Sequence, residues 1–471
     1  MILTIFTNPI ITKNFMYKIS LLLIFLVLQS KILYAEESNF YSYKLVDLKT
    51  SKVIAEHNSG KLMTPASTQK LITAYAALKE LGNNYRFETK FSTQGKVVNK
   101  TLHGNLYITF DGNPDLSQKD LASLSIKLKE KGITKIKGNI IIDDSRFDDK
   151  YYADGWNIED KNFAFSAPVS AIVIDQNFFT LKLKEKGSAF QLTEYSPYPK
   201  IANHVKLISE KSPQCELELT SNDSNIYMLH GCSLKGSSPD ILKIAIQSPK
   251  LWAQNLIKFY LNRGNIAFQD IKFNKTPSSS KVLFSFKSRP LNEILKTFLQ
   301  DSNNLIGEVL LKTIATKKCK VGSFKAGTKI LYDFVAHQLK NEELEIQLKD
   351  GSGLSRKNLI SADIFISLLE KIHYEPREIK ETLLAALPSS SSNGTLKTRF
   401  IDSLIISRGS LIAKTGYMEN TSCLVGFIND KQGKSRYALV VMINNTLMKY
   451  KDLKTAEEKL IEQLISNNRL S

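Results

Sequence analysis

The chain has 471 residues and a formal net charge of +18, from 64 Lys and Arg against 46 Asp and Glu. That length predicts about two or three domains, and four cysteines are too few for a disulfide scaffold of this size. The six histidines are scattered and no C-x-x-C, H-E-x-x-H or G-x-S-x-G occurs, so no metal centre, cofactor or histidine-based triad is expected.

The first segment reads as an address. Lys13 and Lys18 precede the apolar run Ile19 to Leu28, and Leu33-Tyr34-Ala35 precedes an acidic pair. Residues 1–35 are expected to be a secretory signal cleaved after Ala35, with Met16 as an alternative start. The run is short for a transmembrane helix, and an uncleaved anchor is the other reading. The expected location is the periplasm or another extracytoplasmic part of the envelope. Losing Lys13, Lys18 and Lys31 leaves a strongly basic chain. Such a surface suits anionic envelope polymers or lipid headgroups, or is simply lysine-rich and solvated. Nucleic acid is not an expected partner.

Residues 41–57 read as a β-hairpin with a polar turn at Lys49-Thr50-Ser51. Thr64-Pro65-Ala66-Ser67-Thr68-Gln69-Lys70 then opens a helix to about Leu81, with Pro65 in its first turn and one apolar face buried. Short strands follow: 85–91, 104–110, 138–143, 171–184, 205–209, 215–220, 242–247 and 281–286, with helices at 116–131 and 249–263. Helical periodicity returns at 290–299, 304–315, 325–338, 362–372 and 379–384. Strands at 411–415, 423–429 and 437–445 and a helix near 453–465 end the chain. The two N-terminal and three C-terminal strands are expected to form one antiparallel sheet with helices on its faces. Cys215 and Cys232 flank short alternating segments and suit a bridged hairpin, while Cys319 and Cys423 are expected to be core thiols.

Residues i and i+3 are helix neighbours, so Ser67 and Lys70 face the same way. A serine is a poor nucleophile until a base takes its proton, and a lysine of lowered pKa can do that. Alone the pattern is weak, since Ser278 and Lys281 also fit it. Two further motifs follow in order: Ser302-Asn303-Asn304 between two helices, and Lys414-Thr415-Gly416 on a strand. S-x-N recurs at Ser391–Asn393 and Ser466–Asn468, but Lys-Thr-Gly occurs once. The ordered trio on helix, loop and strand points to penicillin-recognising serine acylases.

With that trio, the chain resembles the class C low-molecular-mass penicillin-binding proteins, the D-alanyl-D-alanine carboxypeptidase/endopeptidase family. Further matching stretches are Asp111–Leu116, Ile142–Phe147, Ser166–Ala171, Asp350–Arg356 and Asn393–Leu396. The resemblance implies an α+β fold: a serine transpeptidase-like domain with an antiparallel five-stranded sheet, helices on both faces, and inserted β-rich domains. The expected division is 36–85 and 289–471 for the catalytic domain, 86–175 and 246–288 for an inserted domain, and 176–245 for a domain nested in it, pinned by Cys215–Cys232.

The implied chemistry is acyl transfer on peptidoglycan stem peptides, with β-lactams as inhibitors. Ser67 is the nucleophile and Lys70 its base. The N–H groups of Ser67 and Tyr417 form the oxyanion hole if the 411–417 strand runs beside the helix start. Ser302 relays a proton to the leaving amine with Lys414 behind it, and Asn304 binds the substrate amide and Lys70. Lys414 and Thr415 suit the terminal carboxylate, and Gly416 permits close approach. Tyr417 stands where the family has Thr or Ser. The resemblance also implies a pocket of Asp143, Arg356 and Met418 for the free end of a diaminopimelyl side chain. Two other functions fit the trio: a class A-like β-lactamase, for which Glu381 is the nearest deacylating glutamate, and a non-catalytic penicillin or muropeptide receptor.

Overall fold

The computed structural model describes residues 40–468, apart from 187–188, 194–198, 211–214, 237–240, 401–402, 404 and 406–408. The expected signal and its cleavage site lie outside the described residues. Among the described residues no helix is long and apolar enough to cross a membrane.

The two ends of the chain build one sheet. Its order is Ser410–Met418, Thr421–Asn429, Ser435–Ile443, Tyr41–Asp47, Lys52–His57, antiparallel throughout. Strand alternation splits its side chains between two cores. Cys423, Val425, Phe427, Val440 and Met442 face the helices of the main core. Leu411, Leu424, Leu439 and Val441 face Leu453, Ile461 and Leu464 of the last helix, Tyr450–Asn467. Helices therefore cover both faces.

The Lys70–Leu81 helix differs from the sequence expectation. Every residue from Lys70 to Leu78 is buried, so it is a central helix and not a one-faced one. It packs among the helices Leu291–Gln300, Asn304–Ala315 and Phe324–Leu339. The Lys70 side chain is thereby fully buried.

Between these strands the described residues make three more sheets. Glu88–Thr93 pairs with Lys281–Lys287, so the strands that open and close the excursion lie side by side. Within it, Phe178–Lys186 pairs with Ile241–Ala245, and they bracket a second sheet with a small core of Leu181, Val205, Tyr227, Leu229 and Ile244. Cys215 and Cys232 there are joined by a disulfide, with Cα atoms 5.2 Å apart. Two expectations are corrected. Residues 171–174 are not strand, because the turn at Asp175–Asn177 precedes the strand from Phe178. The 116–131 segment is two short helices, Gln118–Ala122 and Leu124–Glu130. Of the two free thiols, Cys423 is buried but Cys319 is exposed and so is not a core residue.

The inserted part is fastened over the helices. Lys312 Nζ lies 2.7 Å from Asp148 Oδ1 and donates to the Lys150 carbonyl at 2.7 Å. The Trp156 indole donates to Asp350 at 2.9 Å. These contacts bring residues 148–165 to the rim of the site.

Candidate active site

Ser67 lies in a 3-10 turn, Ala66–Gln69, and the α-helix begins only at Lys70. In a 3-10 turn residues i and i+3 eclipse, which aligns Ser67 with Lys70 more closely than an α-helix does. Ala66 has φ +47°, and the Thr68 hydroxyl donates to the Pro65 carbonyl at 2.6 Å. The turn is held from outside as well. Gly353 (φ +80°) has no room for a Cβ, which would stand 1.9 Å from the Ala66 carbonyl oxygen.

Lys70 Nζ donates to Ser67 Oγ at 2.8 Å, to Asn304 Oδ1 at 2.6 Å and to the Ser352 carbonyl at 2.7 Å. Burial lowers its pKa to about 7, against a partial upward pull from Asp350 and Glu308. Its charged form is costly to bury, and three acceptors offset only part of that cost. Asn304 starts the Asn304–Ala315 helix, which Asn303 caps by accepting the Ile306 N–H at 3.0 Å. The other end of the Asn304 amide donates to the Phe165 carbonyl at 2.8 Å. Ser302 sits in the left-handed region at φ +57°, in the tight link between two helices.

Lys414, Thr415, Gly416 and Tyr417 lie on the edge strand Ser410–Met418. A Cβ on Gly416 would stand 2.8 Å from the Pro65 carbonyl oxygen and 3.0 Å from the Ser67 nitrogen. The strand therefore runs against the start of the Ser67 turn. Lys414 is fully buried and donates to the Thr415 carbonyl at 2.8 Å. Burial, then the nearby Lys70 charge, pushes its pKa well below the ordinary lysine range. Thr415 Oγ1 is 2.7 Å from Thr395 Oγ1. The Tyr417 ring is partly exposed and leans edge-on against Tyr450 at 4.3 Å between centroids.

The Asp143 expectation is corrected. Asp143 is buried at the end of strand Ile140–Asp143, and its oxygens accept the backbone N–H groups of Ser145 at 3.0 Å and Thr276 at 2.7 Å. Each oxygen thus holds one backbone N–H, and Asp143 caps this turn. Arg356 instead pairs with Glu419 at 3.3 Å, one residue beyond Met418. Burial raises the pKa of the inserted acid Asp160, and the Arg356 charge offsets part of that rise.

Other polar groups carried no sequence assignment. Glu308 is fully buried and accepts the N–H groups of Gly351 at 2.7 Å and Ser352 at 2.8 Å. Burial, then Asp350, raises its pKa. Asp350 accepts from Gly353, Ser355, Asn358 and Trp156. Together these acids shape the loop whose Ser352 carbonyl holds Lys70. An acid inside the apolar run 305–315 was the available signal. Glu381 lies on the surface in an i,i+4 pair with Arg377. Among the described residues no group of His, Cys, Asp and Glu is arranged to hold a metal ion.

Comparison with known proteins accounts for this arrangement. Residues 30–466 match the model of the D-Ala-D-Ala carboxypeptidase 3 (S13) family. The D-alanyl-D-alanine carboxypeptidase DacB of Haemophilus influenzae is 31% identical over 425 residues, covering 88% of each chain. A D-alanyl-D-alanine carboxypeptidase of Actinomadura is 26% identical over 415 residues, covering 84% of this chain and 76% of the relative. The crystal structure of Haemophilus influenzae penicillin-binding protein 4 superimposes with TM-score 0.82 at 30% identity, covering 90% of this chain and 96% of the other. A second structure of that protein, bound to a β-lactam, gives TM-score 0.75. A family match over residues 30–466, with a relative 31% identical over 88% of each chain, leaves one conclusion: the chain belongs to the D-Ala-D-Ala carboxypeptidase 3 (S13) family of serine peptidases.

Proposed function

We propose that the protein hydrolyses stem peptides of peptidoglycan at the D-Ala-D-Ala bond through an acyl-enzyme on Ser67. The observation that carries this reading is a buried Lys70 whose amine touches Ser67 Oγ at 2.8 Å and whose pKa lies at about 7. A lysine so tuned is substantially neutral at physiological pH and can take the serine proton. Ser67 Oγ then bonds to the penultimate D-Ala carbonyl carbon. The oxyanion lies against the N–H groups of Ser67 and Tyr417, a pairing supported by the close approach of Gly416 to the Ser67 nitrogen. One such donor is worth about 3 kcal/mol of transition-state binding. The amide C–N bond breaks, and the amine leaves with a proton relayed by Ser302 from the lysine pair. Water then attacks the ester and restores Ser67.

Lys414 and the Thr415 and Thr395 hydroxyls take the terminal carboxylate. Asn304 orients the acyl strand. Arg356 and Asp160, with Met418 alongside, receive a charged side-chain end on that strand. β-Lactams enter the same site and acylate the same serine. The basic chain works outside the cytoplasm, after removal of residues 1–35, on anionic envelope polymers. A β-lactamase reading loses its glutamate, because Glu381 is a surface ion-pair residue. Incubation with a pentapeptide ending in D-Ala-D-Ala tests the reading. Free D-Ala is the expected product, and an intact pentapeptide beside rapid turnover of a cephalosporin contradicts it.

A further inference from the structure

Ser302 stands in the left-handed region at φ +57°, so where its hydroxyl points depends on how the loop backbone is held. The next residue does the holding, with both ends of its amide. Asn303 Oδ1 accepts the Ile306 N–H at 3.0 Å and caps the helix that follows. Asn303 Nδ2 donates to Gln176 Oε1 at 2.6 Å, across 127 positions of chain.

Gln176 is itself fixed. It is the middle of three consecutive residues, Asp175, Gln176 and Asn177, at φ +49°, +55° and +54°. That region is disfavoured for any residue with a Cβ, and three in a row persist only where the surroundings determine them. Asn177 is fully buried and supplies much of that constraint. Its amide donates to the Pro168 carbonyl at 3.1 Å and the Ile172 carbonyl at 2.9 Å, and accepts the Ile174 N–H at 3.2 Å. On the other side the Asp175 carboxylate accepts from the Gln118 amide at 2.8 Å. With both neighbours bound inside the inserted part, Gln176 presents a fixed acceptor to the Ser302-Asn303-Asn304 loop.

We propose that Gln176 is a positioning residue, which through Asn303 aims the Ser302 hydroxyl at the leaving amine. The inference rests on the acyl-transfer reading above. In that reaction Lys70 takes the Ser67 proton, Ser67 Oγ bonds to the carbonyl carbon, and the amide C–N bond breaks. Ser302 gives its proton to the departing nitrogen and regains one from the lysine pair. The proton that Ser67 lost thus ends on the amine. An amide needs that proton, because an amine anion is too basic to leave, whereas a thiolate leaves without it. Lys70 keeps its acceptors on Ser67, Asn304 and Ser352 whether or not Gln176 is present. Loss of Gln176 therefore misdirects the proton delivery and spares the attack.

The test compares two substrates of the same acyl strand with the full chain. One is a pentapeptide ending in D-Ala-D-Ala. The other is the thioester in which thioglycolate replaces the last D-Ala, so that a terminal carboxylate is kept. The quantity read is the ratio of kcat/KM for the peptide to that for the thioester. Wild-type protein cleaves both. Gln176→Ala lowers the ratio about five- to tenfold, since only the peptide depends on the general acid. Gln176→Met, close in length but without the oxygen, lowers it likewise. Gln176→Glu keeps an acceptor oxygen and holds the ratio within about twofold of wild type. A ratio unchanged in Gln176→Ala and Gln176→Met overturns the inference, as does a thioester rate that falls as far as the peptide rate. A Gln176→Glu ratio as low as that of Gln176→Ala overturns it too. A pentapeptide left intact by the wild type is separate and overturns the acyl-transfer reading itself.

Discussion

Lys70 Nζ lies 2.6 Å from Oδ1 of Asn304, across 234 positions of chain. This one contact joins two of the three sequence motifs. The far side of the same amide holds Phe165 of the inserted segment. Lys70 is therefore positioned by the helices and the inserted segment together.

The pH profile of acylation follows from the Lys70 environment. Burial puts its pKa at about 7, and only the neutral amine accepts the Ser67 proton. The second-order rate of penicillin acylation should rise through about pH 7 and level off above it. Stopped-flow labelling across that range checks this, and a flat or falling profile contradicts it.

Glu308 should make stability fall as pH rises. Burial and Asp350 hold its folded pKa above the ordinary carboxylate range, so between the two values the folded chain binds more protons than the unfolded one. Stability is then lost as pH climbs from that ordinary range towards neutrality. Glu308→Gln should be less stable by about 1–3 kcal/mol, since one amide N–H group faces the donors of Gly351 and Ser352. It should also lack that part of the slope. Denaturant titrations at several pH values measure both.

The trio was legible because each motif binds its chemistry to a short spacing. The 3-10 turn at Ser67 was not, because a spacing of three fits it and an α-helix alike. The cradle of Lys70 was also hidden: its third acceptor is a backbone carbonyl, which any residue at 352 would supply. Asp143 was misplaced although Asp143-Asp144-Ser145 is a turn-capping pattern. Asp160 was overlooked because Glu159-Asp160-Lys161 reads as a solvated charge run. Cys319 carried its own correction in the sequence, being flanked by Lys317, Lys318 and Lys320.

Asp143 and Arg356 should separate fold from substrate choice. Asp143→Ala removes a cap from two backbone N–H groups and should cost about 1–3 kcal/mol of stability. Arg356→Ala and Asp160→Ala should leave stability nearly unchanged and weaken hydrolysis of stem peptides with a charged side-chain end about tenfold. That loss corresponds to about 1.4 kcal/mol of transition-state binding. Penicillin acylation should be little affected. Calorimetry and peptide kinetics distinguish the two roles, and a purely kinetic effect at Asp143 contradicts the assignment.

The Cys215–Cys232 disulfide closes a separation of 17 residues in the nested sheet. In the chain-entropy model such a loop stabilises by about 3 kcal/mol. Reduction should loosen that module, read by protease sensitivity near residues 200–235. Acylation of Ser67 by penicillin should persist, because the bridge lies in the nested sheet and the motif residues on other elements. Protection that is unchanged on reduction would show that the strands hold without the bond.

The central claim is that Ser67 alone forms the acyl-enzyme. A fluorescent penicillin should label the protein at one equivalent, and peptide mass mapping should place the adduct on Ser67. Ser67→Ala should fold with wild-type circular dichroism and take no label. Label at wild-type stoichiometry in Ser67→Ala, or an adduct on any other residue, would contradict the account.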